Sequence, residues 1–151
     1  NLDRQTAANI TFSASNLSWF TAYQGDLTSV QAAALTLASV PAANSQTLTI
    51  GNLPSVSSTA YVFKAGDFLQ LGSYVYKVTA DVQRGSGSTV SVGIHRPVIG
   101  TPSTGTLTAV GSSVYFPVYA EVCPTYTLTP MTSGAFVNWD NPFVFRENVA
   151  P

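Results

Sequence analysis

His95 is the only histidine of this chain, and seven carboxylates (Asp3, Asp26, Asp67, Asp81, Glu121, Asp140 and Glu147) are scattered singly along it. One histidine excludes a two-histidine metal site. Cys123, the sole cysteine, excludes both an internal disulfide and a cysteine-based metal centre, and reads as a small hydrophobe before Pro124. The residue types of a serine–histidine–aspartate triad are present, but no G-x-S-x-G turn positions a nucleophile, and Gly85-Ser86-Gly87 is too short to be one. Glycoside hydrolysis needs two carboxylates across a cleft, and nothing in the spacing pairs any two of these. Arg84-Gly85-Ser86-Gly87 lacks the lysine and helix start of a phosphate loop. His95 falls out of phase with Val90, Val92 and Ile94 and beside Arg96, which suits a polar residue at a strand end better than a general base. Asp67 after Gly66 reads as a turn residue whose carboxylate bonds nearby backbone amides. The expectation is a protein that is not an enzyme, with no cofactor, no metal and no small-molecule substrate.

Composition narrows the partners. At 151 residues the chain fits one domain with a real core, and 45% hydrophobic content argues against disorder. Charged residues make up 9%, against roughly 25% in ordinary soluble domains. Six basic and seven acidic residues form no cluster. A nucleic-acid partner needs a basic stripe to neutralise phosphates, and a membrane surface needs a polybasic face; neither is present. No stretch has the length of a transmembrane helix, and no signal peptide is visible. The first residue is Asn1 rather than Met, as in a processed chain or part of a longer product. Threonine, serine, glycine and aromatic residues replace the missing charge. Such a surface suits burial against other subunits, since covering Thr or Tyr costs less than covering Lys or Glu.

The elements that must carry these residues read as strands. Phe68 to Leu71, Tyr74 to Val82 and Val90 to Ile94 show period-2 patterning separated by Gly72-Ser73 and the Arg84–Ser88 loop, an antiparallel meander over about residues 62–96. Before it, Asn9 to Ser15, Leu17 to Tyr23, Ala34 to Val40 and Gln46 to Gly51 are strand candidates. From Asp26 two readings compete: Asp26 capping a short helix with Leu27, Val30, Ala34 and Leu37 on one face, or the strands just named; mostly strand is favoured, with a helical turn near Ser29 to Ala33 as the exception. After it come Val114 to Val122, placed at an edge or given a bulge by Pro117, then the pair Tyr126–Thr129 and Phe136–Trp139, and finally Phe143–Glu147. Many short strands with Gly and Pro turns predict an all-β fold, an antiparallel β-sandwich or small β-barrel. Residues 1–54 read as a β-rich assembly segment and 55–151 as the sandwich or barrel domain.

Lys64-Ala65-Gly66-Asp67-Phe68-Leu69-Gln70-Leu71-Gly72, followed by Tyr76-Lys77-Val78-Thr79-Ala80-Asp81-Val82, resembles a segment of tailed-bacteriophage minor tail proteins. There an AGD-[FY]-[IL]-Q strand precedes a YKV..DV strand. Trp139 and Phe143-Val144-Phe145-Arg146-Glu147 are similar to the closing strand of that domain, so the likeness covers roughly Val62 to Glu147. The resemblance implies a virion structural protein of the distal tail or baseplate. Its partners would be other copies of itself and neighbouring tail or baseplate subunits. The interface residues expected are Trp19, Phe20, Arg84, Tyr115 and Tyr119. The alternative is a carbohydrate- or receptor-binding β-sandwich module of a tail tip or secreted protein, marked by solvent-facing Trp and Tyr beside Asn or Asp.

Overall fold

The computed structural model describes residues 8–10, 22–122, 124–131, 134–142 and 144–148. Over these the chain is all-β, with antiparallel pairing between strands and no closed barrel. It divides into two compact units. The larger unit's described part runs from residue 22 to 116; the smaller joins the strand Ala8–Ile10 (β1) to the chain from Pro117 onward.

The larger unit begins with a short helix, α1 (Ser29–Ala33), held by a capping box: the Thr28 hydroxyl accepts from Gln31 N–H, and the Gln31 side chain accepts from Thr28 N–H. The cap is therefore Thr28 and not Asp26. The Asp26 carboxylate instead accepts the Tyr61 amide at 2.8 Å, a long-range bond that local spacing does not reveal. The expected helix face also differs, because Ala32, Leu35 and Leu37 are buried while Val30 is exposed.

Three strands, β2 (Thr36–Leu37), β3 (Thr47–Gly51) and β8 (Val90–Gly93), form one sheet in the order β2-β3-β8. A second contains β5 (Phe68–Leu71) between β6 (Tyr74–Lys77) and β9 (Ala109–Val110). A further pair joins β4 (Tyr61–Phe63) to β7 (Val82–Gln83). Leu37, Leu48, Ile50, Val90 and Val92 from the first sheet pack with Leu69, Leu71 and Tyr76 from the second, closed by Val62 and Phe63 of β4 and by Ala32 of α1. This is one contiguous core between layers, which is what alternating strands require. On the other face of the second sheet, Phe68, Val75 and Val114 make a smaller cluster. Both faces of β5 are thus covered, and all four of its residues are buried.

The meander keeps its chain order but not all of its pairing. β5 and β6 form the expected hairpin through Gly72, whose φ of +58° is the left-handed conformation that glycine takes freely. β6 ends at Lys77, and β8 makes its ladder with β3, touching the continuation of β6 through the single bridge Val78–Ile94. That β3–β8 ladder also joins the two sides of residue 54, where a domain boundary was expected. Once Thr47–Gly51 offers its own edge, the Val90–Gly93 strand pairs there and buries Val90 and Val92 against it.

In the smaller unit β10 (Phe116–Val122) lies between β1 and β13 (Val144–Glu147). Its central position corrects the edge placement. The bulge alternative stands, since the register with β13 shifts between Ala120 and Val122. Pro117 precedes the part of β10 paired with β13, and its carbonyl accepts from Asn148 N–H at 2.7 Å. The second sheet of this unit is a hairpin, β11 (Tyr126–Met131) and β12 (Gly134–Trp139).

Candidate assembly site

The residues with chemical potential are employed in holding the fold. Asp67 is fully buried; one carboxylate oxygen accepts from Gln24 N–H and the other from Lys64 N–H, both at 2.8 Å. Burial outweighs these bonds and raises its pKa above the ordinary carboxylate value. The Asp81 carboxylate accepts from Ala65 N–H. His95 is exposed, and its Nδ1 accepts from the Lys77 amide at 2.9 Å, which places the neutral ring's proton on Nε2. Tyr23 donates its hydroxyl to the Val62 carbonyl; burial, joined by the nearby Asp67 and Asp26 charges, pushes it up to about 12. Among the described residues no group of three metal-ligating side chains comes together.

A cavity of about 460 Å³ lies between α1 and the 107–113 segment, lined by Ala22, Tyr23, Ser29, Ala32, Leu107, Thr108, Val110 and Ser113 among others. Apart from Tyr23 its lining is aliphatic and hydroxylic, so it supplies no acid–base pair. Thr108 Oγ1 is buried there without a hydrogen-bond partner.

The expected interface residues are dispersed. Trp19 and Phe20 lie outside the described residues. Arg84 is half-buried and serves its own loop: Nε donates to the Pro54 carbonyl at 3.1 Å, and Nη1 to the carbonyls of Gly85 and Gly87. Tyr115 is half-buried, with its amide donating to buried Gln70 Oε1 at 2.9 Å. Tyr119 is half-buried on β10 opposite Arg146, whose Nε–Glu121 ion pair faces solvent.

What the sequence reading did not single out is a face of the β11–β12 hairpin. The register sets Tyr126 opposite Trp139 and Leu128 opposite Val137. Residues directly opposite and two apart share a face. These four large apolar side chains are 42 to 59% exposed. The Tyr126 and Trp139 rings meet edge to face with centroids 5.4 Å apart. On the opposite face Thr127, Thr129 and Asn138 are exposed as well. From Pro124 to Trp139 the chain carries none of its charged residues. The signal was there in Thr125, Thr127 and Thr129 alternating with Tyr126, Leu128 and Pro130.

The base of this hairpin is fastened. Asp140 N–H donates to the Thr125 carbonyl at 3.1 Å, while its carboxylate accepts from Thr125 N–H at 2.8 Å and from the Thr125 hydroxyl at 2.6 Å. The hydroxyl bond leads the effects that hold the Asp140 carboxyl below its usual range. Bonded and non-bonded pairs alternate along an antiparallel ladder. With Asp140 bonded to Thr125, the pairs Thr127–Asn138, Thr129–Phe136 and Met131–Gly134 are bonded ones. Tyr126–Trp139, Leu128–Val137 and Pro130–Ala135 are not, and the backbone groups of these residues point outward. Pro130, having no N–H, thus removes nothing from the hairpin and one donor from the outer edge of β11. Among the described residues β12 pairs with β11 alone.

No family model, no curated protein and no solved structure matches this chain.

Proposed function

We propose that this chain is a structural subunit of a tailed-phage virion, in the tail or baseplate. It works by holding copies of itself and neighbouring subunits together, without cofactor or catalysis. The observation that carries the assembly role is the uncharged hairpin face of Tyr126, Leu128, Val137 and Trp139. A two-stranded hairpin exposed on both faces is marginal by itself and gains stability when a third strand or another surface covers it. The tail or baseplate placement rests on the likeness of Lys64–Val82 and Trp139–Glu147 to minor tail proteins. Cryo-microscopy of the particle containing this chain tests the reading. These four side chains should lie under a neighbouring subunit; a particle in which they stay bare to solvent overturns it.

A carbohydrate-binding module is the second reading, favoured by the solvent-facing Trp139 and Tyr126 beside Asn138. Against it, both oxygens of Asp140 are taken by Thr125, and the two rings are inclined by 61° and offer no flat platform. A glycan array with hits that disappear in Trp139→Ala would favour this reading over assembly.

A further inference from the structure

We infer that the outer edge of β12, which pairs with no further strand among the described residues, receives β12 of a second copy of this chain, antiparallel about a two-fold axis at Val137, so that two hairpins merge into one four-stranded sheet. The inference rests on the assembly reading and names the partner. Three features lead to it. Ala135 and Val137 lie in non-bonded pairs with β11, so their N–H and C=O groups are aimed away from the hairpin, and an edge so arranged is a template for another extended strand. Native edges are usually blunted by Lys, Pro or a bulge; Gly134–Trp139 has none of these, whereas β11 has Pro130.

The charge pattern favours a second copy over a charged strand as occupant. The stretch from Pro124 to Trp139 is uncharged, so it offers no counter-ion to a charged strand and no repulsion to its own copy. A two-fold contact is self-complementary by construction. In this register Val137 faces its own counterpart, and the Tyr126, Leu128, Val137 and Trp139 side chains of both copies continue one apolar face.

The test uses the full chain and two proline substitutions that make the same chemical change on opposite edges. Val137→Pro and Leu128→Pro each remove an outward N–H that the hairpin ladder does not use. Sedimentation equilibrium of the wild type over a wide concentration range should show a monomer–dimer equilibrium. Val137→Pro should weaken it by tenfold or more and Leu128→Pro by less than threefold, with circular dichroism confirming that both fold. Amide exchange of the unsubstituted chain supplies a readout independent of folding of the variants: Val137 N–H should gain protection as concentration rises, and Leu128 N–H should not. Equal effects of the two prolines, or unchanged exchange at Val137 in the dimer, overturn the β12 edge. A wild type monomeric at every concentration overturns the self-pairing while leaving the particle experiment to judge the assembly role.

Discussion

Two hairpins in this molecule are built alike and treated oppositely. In β5–β6 a Gly72-Ser73 turn joins two four-residue strands, and every residue of β5 is buried: Leu69 and Leu71 in the main core, Phe68 in the second cluster, and Gln70 bonded to Tyr115 N–H and the Gly72 carbonyl. In β11–β12 the strands are longer and as apolar on one face, yet Tyr126, Leu128, Val137 and Trp139 stay exposed. Local patterning is the same in both. What differs is whether other strands among the described residues pair with them. Alternation therefore specifies that a face is apolar, and only the rest of the fold decides whether the chain itself covers that face.

The largest expected effect comes from making one substitution in both hairpins. Leu69→Ala should destabilise the larger unit by about 2–5 kcal/mol, through lost burial and a residual cavity. Leu128→Ala should change the stability of the dilute chain by less than about 0.5 kcal/mol. Urea unfolding followed by circular dichroism measures both, and equal costs would erase the contrast. Next, Gln70→Met keeps the volume of the buried side chain but leaves Tyr115 N–H unmet, at a cost of about 1–3 kcal/mol in the same measurement.

The carboxylates that fasten the two regions sharpen the contrast further, because they respond to acid with opposite sign. Burial holds the Asp67 carboxyl above 3.8, so the folded chain binds that proton more tightly than the unfolded one. Its contribution is full below about pH 3.8 and is lost as pH rises through the elevated value. Asp140, held below 3.8 mainly by the Thr125 hydroxyl, contributes above that pH and loses its contribution as pH falls through the lowered value. Asp67→Asn should flatten the first dependence in urea midpoints taken across acid pH. Asp140→Asn should remove an acid-induced change in Trp139 fluorescence. A small effect of the opposite sign is expected from Thr108→Val, which deletes the unpartnered buried hydroxyl while keeping the backbone bond from Thr108 N–H to the Leu35 carbonyl. It should leave stability unchanged or raise it by up to about 1 kcal/mol.

Much of this architecture was legible in the residues. Val90, Val92 and Ile94 alternate as buried strand positions, Asp67 clamps amides as a turn residue, Ser29–Ala33 is helical, and the Tyr126–Thr129 and Phe136–Trp139 segments pair. Each depends on short-range turn chemistry or a period of two. One miss was local, since the capping box is written in Thr28 and Gln31; the others were non-local. Asp26 bonds an amide thirty-five positions away, and β8 ladders with β3, pairing Val90 with Ile50 forty positions earlier, rather than with the neighbouring strand one loop before it. The site was less legible than the fold. The expected interface residues Tyr115 and Tyr119 point to the start of β10, whereas the exposed face belongs to a stretch whose distinguishing mark is the charge it lacks.

Pro130 gives that stretch a direction. A ribbon able to recruit neighbours on both flanks would propagate without limit, as fibrils do. Here Pro130 leaves the β11 flank one donor short. A dimer joined through β12 would therefore present its poorer templates outward, a geometry that favours closure over extension.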